Sequence, residues 1–351
     1  MNSPNPQSGV PISYPATFYD FLVKQGLAAD EIYSYVGIDT ALFDDPNNKI
    51  TVEQYIALTK QGLIASNNPG LGLIFGSSLS LQSHNYLGFA MQSCNNGHEA
   101  NRLMCQYINT RFPSLKLQYQ YEGEYSVLII EDWLDEPELH LYNLEVALAT
   151  IYKGSMSLQL LNRIQTSNFN GNDLSLHGNI VAIELEYPKP KHFQIYQDIF
   201  PLVKISFNKP SCRILLNKAA LEKPFSFANP SSLKLAESMC LAELKALSAN
   251  ESLTSKIHNL LISEPLQFPN LDNMAKQLNL SSRALSRSLK EEGTSYQEIL
   301  DSVRKQLSIH YLKTTQLSIA EIAYRLNFEQ PTNFTRAFKK WTQKSPSDYR
   351  T

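Results

Sequence analysis

Cysteine is scarce in this sequence: the 351 residues hold 4, Cys94, Cys105, Cys212 and Cys240, and no two form a CxxC pair. That spacing argues against a zinc knuckle and fits reduced thiols in a cytoplasm. Long apolar runs are missing too. None approaches the roughly 18–20 residues that cross a bilayer, so no membrane association is expected. The opening "MNSPNPQSGVPISYP" has neither a cationic start nor an apolar stretch, which argues against a signal peptide, and residues 1–14 read as a flexible tail. The histidines are scattered, none in HExxH or a paired metal spacing. No serine sits in a G-x-S-x-G elbow. "GLGLIFG", with Gly70, Gly72 and Gly76, has GxGxxxG spacing and no strand before it. A helix start with close packing is expected there, not a dinucleotide loop. His84 in "SHNY" and His98 in "GHEA" read as loop or cap residues, and the carboxylates of "DWLDEPE" (Asp132 to Glu138) as a solvated loop. No catalytic residue, cofactor or metal is expected.

A strong charge of one sign is also absent, because the whole chain carries only −2. The distribution is uneven, however. From Leu271 to Thr351 there are 13 Lys and Arg against 8 Asp and Glu, a balance of +5, and the remainder carries −7. An acidic body with a basic end suits a polyanionic partner at that end. Chance is the plain alternative, since +5 is modest. With 43% hydrophobic and 18% charged residues the chain can bury a sizeable core, and its length implies two or three domains.

From Ala16 to about Phe112 apolar residues recur at three and four spacing, which predicts helices. "KLQYQYEGEYSVLIIED" then alternates and predicts a β-hairpin turning at "EGE". A long helix is expected through "LYNLEVALATIYKGSMSLQLLNRI". Strands follow at "NIVAIELEY" and "PLVKISF", with a short helix, "KHFQIYQDIF", between them, and a later helix at "LKLAESMCLAELKAL". The polar stretch Ser248–Glu251 marks a boundary. The expected fold is thus an α+β domain over 15–250, mostly helical with a small sheet, followed by an all-α domain over 252–351.

That last domain has a doubled pattern. "NLDNMAKQL", capped by Asn270, a short turn, and "SSRALSRSLKEE", capped by Ser281 and ended by Gly293, make one helix–turn–helix unit. Ser295 and Glu298 form a capping box for the long helix that follows. Ser318 and Glu321 form another for "IAEIAYRL", Asn327 takes the turn, and Pro331 opens "TNFTRAFKKW". In this last helix Phe334, Ala337, Phe338 and Trp341 share the expected buried face, and Thr332, Asn333, Thr335, Arg336, Lys339 and Lys340 the outer one. In the earlier helix Leu285 and Leu289 point inward and Arg283, Ser286, Arg287 and Lys290 outward. An Arg on a helix in a major groove can bond guanine bidentately, and Asn can do so for adenine. A charged face is ordinarily only solvated, so the plain alternative is an amphipathic bundle. Repetition of the whole unit, with matching caps and outward Arg, favours the DNA reading.

"SIAEIAYRLNFEQPTNFTRAFKKWTQKSPSDYR" resembles the second helix-turn-helix of AraC/XylS-type transcription regulators, and "LSSRALSRSLKEEGTSYQEIL" their first. Together the match covers Ser252 to Thr351. Asn327 stands where that family usually has Gly, and Asn tolerates the left-handed turn. The Glu329-Gln330-Pro331 lead-in is a second departure, and bears on contacts near the helix start. The resemblance implies Ser282, Arg283, Ser286 and Arg287 in helix 281–292 and Thr332, Asn333 and Arg336 in helix 332–341 as base readers. The cations beyond, Lys339 and Lys340, would meet phosphates. The helix between would set the units about one DNA turn apart, roughly 34 Å. "ITVEQYIALTKQG", "NPGLGLIFG", "YLGFAMQSC" and "VKISFNKPSCRILLNKAALEKPF" are similar to the sensor domain of the ornithine-utilisation-type subgroup. This similarity implies an effector-binding, dimerising domain. Expected partners are double-stranded promoter DNA, a second copy of the chain, RNA polymerase and a small effector, in a cytoplasmic, ligand-responsive activator. Tyr, Phe and aliphatic residues in "YPATFYDFL" and "YLGFAM", with few cations nearby beyond Lys24, Lys60, Arg102 and Arg111, favour an apolar effector such as a fatty acid or hydrocarbon. Two alternatives stand beside this reading. A repair alkyltransferase with an appended helix-turn-helix would need an activated cysteine. An architectural DNA protein would not need neutral polar residues at reading positions.

Overall fold

The computed structural model describes residues 9–350, apart from 46–47, 113, 133, 135, 166–178, 202, 250–251, 264–267 and 315–316. They divide into two compact units, one in Gly9–Ala249 and one in Asn250–Thr351. In the first unit a short antiparallel ribbon, β1 (Val10–Pro11) with β2 (Lys49–Ile50), flanks α1 (Ser13–Lys24) and α2 (Ala29–Tyr35). Four more helices follow: α3 (Val52–Ser66), α4 (Leu71–Ser78), α5 (Asn85–Ser93) and α6 (Gly97–Tyr107). Thr51 and Gln54 close a capping box that starts α3. The helical period expected from Ala16 to Phe112 is the observed one.

The hairpin also forms as expected, from β3 (Leu115–Glu122) and β4 (Tyr125–Asp132), with Glu122 opposite Tyr125 and Gly123 at φ +59. The long helix is α7 (Pro137–Gln165), and β5 (Ile180–Glu184), α8 (Phe193–Ile199) and β6 (Lys204–Ser206) make a parallel crossover. One strand was not expected: β7 (Cys212–Asn217) lies at the centre of the sheet, whose order is β3-β4-β7-β5-β6. Its alternation is clear, with Cys212, Ile214 and Leu216 buried and Asn217 exposed. It is only 6 residues long, and its partners lie far away in sequence. Then come α9 (Lys218–Glu222) and α10 (Pro230–Ala249), which packs on α5.

The glycines of "GLGLIFG" serve packing, as expected. A Cβ at Gly72 would stand 2.7 Å from the Tyr142 carbonyl oxygen, and one at Gly76 only 2.5 Å from that of Val146. Glycine at both positions lets α4 lie directly on α7.

The second unit is all helix. It contains α11 (Leu253–Ser263), α12 (Leu271–Gln277), α13 (Ser282–Glu291), α14 (Tyr296–Thr314), α15 (Ile319–Arg325), α16 (Pro331–Thr342) and α17 (Pro346–Arg350). Helix α14 packs against α11 and α15 to α17. The α+β and all-α architecture read from the sequence is therefore the one observed.

Candidate nucleic-acid interface and effector cavity

Two helix–turn–helix pairs, α12–α13 and α15–α16, repeat the same local geometry. Asn279 and Asn327 both sit in the left-handed region, at φ +56 and +58. Leu280 N–H donates to the Ala275 carbonyl at 2.8 Å, and Phe328 N–H donates to that of Ala323 at 3.0 Å. Each first helix thus ends in a Schellman turn with Asn as the reversing residue. The caps match as well. Asn270, Ser281 and Ser318 accept from the backbone N–H three residues on, and Glu321 completes the box at Ser318. Pro331 opens α16 without a side-chain cap. Ser295 Oγ accepts from Glu298 N–H at 3.3 Å and donates to its carboxylate at 3.0 Å.

Arg283, Ser286, Arg287 and Lys290 are exposed on α13, and Leu285 and Leu289 are buried beneath them. Ser282 is half-buried, and its hydroxyl donates to the Asp272 carboxylate on α12. Arg287 meets Glu291 at 3.7 Å in a pair too exposed to hold it. On α16, Thr332, Asn333, Arg336, Lys339 and Lys340 are exposed. Phe334 and Phe338 are fully buried, but Ala337 and Trp341 are only half-buried, a correction to the expected stripe. Trp341 lies near the helix end, and its ring packs on Phe328 at 6.2 Å between centres. Thr335, expected outside, is half-buried with its hydroxyl on the Pro331 carbonyl at 3.0 Å.

Three residues the sequence did not single out hold this unit together. The guanidinium of Arg304, on α14, lies 5.4 Å from the Phe268 ring centre and 4.6 Å from that of Phe328. It also donates to the Asn327 carbonyl at 3.1 Å, clamping the second turn. Glu292, after α13, accepts from Leu253 and Thr254 N–H at 2.9 Å each and so caps α11. Burial works to raise its carboxyl, but these bonds outweigh that and hold it below the usual range. Arg350 donates to the Leu317 carbonyl just before α15.

The first unit contains a cavity between α5, α6, β3 and α7. Its atom-free space is about 810 Å³ counting the open mouth. Met91, Met104, Ile108, Phe112, Ile151 and Leu158 are among its walls, and among the described residues no Lys, Arg, Asp or Glu lines it. His84, which lines it, stands at the N-cap position of α5, in keeping with the loop or cap reading, and His98 lies in the first turn of α6. Both are buried, His84 against the Tyr14 hydroxyl and His98 against that of Tyr119 at 2.5 Å. The acidic stretch also differs from the solvated loop expected. The side chain of Asp132 is fully buried, bonded by Asn143 Nδ2 at 2.9 Å, while Glu136 and Glu138 each hold Lys60 at 3.0 Å. Trp133 and Asp135 lie outside the described residues. Among the described residues no three His, Cys, Asp or Glu side chains converge as a metal site requires.

Two families match: "Helix-turn-helix domain" over residues 274–351 and "Arabinose-binding domain of AraC transcription regulator, N-term" over 26–158. An ornithine utilization regulator from Pseudomonas aeruginosa is 31% identical over 341 residues, 97% of this chain and 96% of the relative. The chain belongs to the AraC-type transcription regulators. The regulator VqsM of the same organism is 25% identical to this AraC-type regulator over 80% of the chain and 83% of its own length. The solved structure of CdpR, also from P. aeruginosa, aligns over 92% of this chain and 96% of its own at 22% identity, with a TM-score of 0.43.

This AraC-type protein is a DNA-binding transcription regulator. The alkyltransferase alternative requires an acidic thiol, but burial pushes Cys94 and Cys105 up to about 12, Cys240 up to about 11, and Cys212 up as well. No helix among its described residues is long and apolar enough to cross a membrane.

Proposed function

We propose that residues 252–351 bind an operator through two successive major grooves, with α13 in one and α16 in the next. Arg283, Ser286, Arg287, Thr332, Asn333 and Arg336 read bases, and Ser282 sits at the edge of that set. Lys339 and Lys340 hold phosphates. The observation that carries this is the repeated unit: an Asn-reversed Schellman turn followed by a helix with an exposed Arg-bearing face over buried Leu or Phe. Helix α14 has 19 residues, or about 28 Å at 1.5 Å per residue, a span that suits units about one DNA turn apart.

Residues 15–250 are, on this reading, the effector-binding and dimerising domain of a cytoplasmic activator that contacts RNA polymerase. An effector acts by preferring one state of the sensor. The cavity supports an apolar effector, such as a fatty acid or hydrocarbon. Ornithine, named for the relative, suits it less, because no carboxylate among the described lining residues would meet its ammonium groups. The test is selection of a site from random DNA by the full chain, then competition of that site against unrelated DNA. A preference of about 10³ or more is expected. Equal competition would favour the architectural alternative.

A further inference from the structure

The apolar walls of the cavity surround one unusual side chain. His84 is only 8% exposed and is the only titratable residue among the described ones that line the space. Its Nδ1 is bonded to the Tyr14 hydroxyl. Tyr14 has no other hydrogen-bond partner among the described residues, so its O–H must donate to Nδ1 or be left buried without an acceptor. With Nδ1 accepting, the ring proton is on Nε2. Nε2 has no partner among the described residues, nor is it among the buried polar atoms sealed without one. It therefore faces open space, and the space His84 lines is this cavity.

The ring is also neutral. Burial first, and the Arg111 guanidinium behind it second, depress His84 to about 4. Arg111 itself is 2% exposed, does not line the cavity and is ion-paired with Glu243. The chamber thus offers mainly apolar walls and the neutral ring N–H of His84, beside the amides of Asn101, Gln159 and Asn179 and the hydroxyls of Thr150 and Ser155, with no ion among the described lining residues.

We propose that the effector is an uncharged, mainly aliphatic molecule whose single oxygen acceptor (an alcohol, ketone or ester) takes the Nε2–H of His84. This rests on the reading that the cavity holds the effector, and replaces the fatty acid or hydrocarbon named there with a neutral oxygen-bearing chain. A plain hydrocarbon leaves the donor unmet. A carboxylate brings a charge with no cation among the described lining residues to receive it, and a charged amino acid brings more. Of the other polar wall groups, Thr150 already donates to the Gly76 carbonyl at 3.2 Å and Asn101 Nδ2 to the Gly97 carbonyl at 2.9 Å.

The experiment measures binding of 2-octanone, octane, octanoate and ornithine to the full chain by calorimetry, with thermal melting to check folding. The wild type should bind 2-octanone, and neither octanoate nor ornithine more tightly. His84→Phe should weaken 2-octanone by about fivefold to tenfold, the size of one neutral hydrogen bond, and leave octane unchanged. Tyr14→Phe, a smaller change in case His84→Phe fails to fold, should show the same selectivity, since Nδ1 loses the donor that fixes the tautomer. Gly154→Leu fills the cavity and should abolish binding of every probe without lowering the melting temperature. The one neighbour of a Cβ there is Leu81 Cδ2 at 3.4 Å. Equal losses for ketone and alkane in both variants would overturn the hydrogen bond and leave the apolar cavity standing. Tighter binding of octanoate or ornithine would overturn the neutral class. Binding that survives Gly154→Leu, or no binding of any probe, would overturn the cavity reading itself, leaving DNA recognition untouched.

Discussion

Arg336 and Lys340 lie on the exposed face of one helix, yet different losses are expected from them. Arg336→Ala should cost about 1–3 kcal/mol on the selected site and much less on random DNA, because a bidentate base contact is lost. Lys340→Ala should weaken both DNAs alike and reduce the salt slope by about one. Fluorescence titrations at several salt concentrations separate the two outcomes. Ser282 contrasts with them, since its hydroxyl is committed to Asp272. The outward positions were legible because amphipathic spacing needs only local sequence. Arg304 was not, because its partners, Phe268 and Asn327, come from segments before and after α14. At His84 the residue scale also predicts a pH dependence. Its folded value of about 4 lies below the ordinary imidazole value of 6.5, so the unfolded chain takes up the proton first. Stability should fall as the pH drops from about 6.5 to about 4, by up to about 3 kcal/mol, and level off below. Denaturant titrations across that range should show this slope in the wild type and its loss in His84→Gln; equal slopes would contradict it.

At the scale of elements, caps and close approaches carry the expectations. Ser318→Ala removes a side-chain acceptor and breaks a complete capping box. It should lower stability by about 1 kcal/mol and weaken all DNA alike, as read by melting and gel shift. Gly76→Val would drive a Cβ to within 2.5 Å of the Val146 carbonyl oxygen, a backbone atom that cannot step aside. A loss of at least about 2 kcal/mol is expected from chemical denaturation. The caps were readable from Ser318, Glu321 and Pro331 because they are short-range rules. The role of "GLGLIFG" was readable too, since its spacing failed the phosphate-loop pattern. Strand β7 was not, because a strand of 6 residues after "NKPS" gives little period to count, and its two long pairings are with β4 and β5. The burial of His84 and His98 was not legible for a related reason. Their tyrosine partners, Tyr14 and Tyr119, are distant in sequence, so burial left no local trace.

At the scale of the whole molecule, the chain pairs a unit with a cavity and a unit with two repeated helix–turn–helix motifs. The basic excess falls in the second, where +5 over Leu271–Thr351 contrasts with −7 elsewhere. A fragment from Ser252 to Thr351 keeps Leu253 and Thr254, whose N–H groups Glu292 caps, and should fold alone with a helical spectrum and bind DNA. An unfolded fragment would refute its independence. The double-motif mechanism is tested most directly by methylation protection of guanine N7 on the selected operator. The double unit predicts two protected major-groove patches about 10 base pairs apart on one face of the duplex. Arg336→Ala should erase the patch under α16 and spare the one under α13. A single patch, or uniform protection unaltered by Arg336→Ala, would contradict the account.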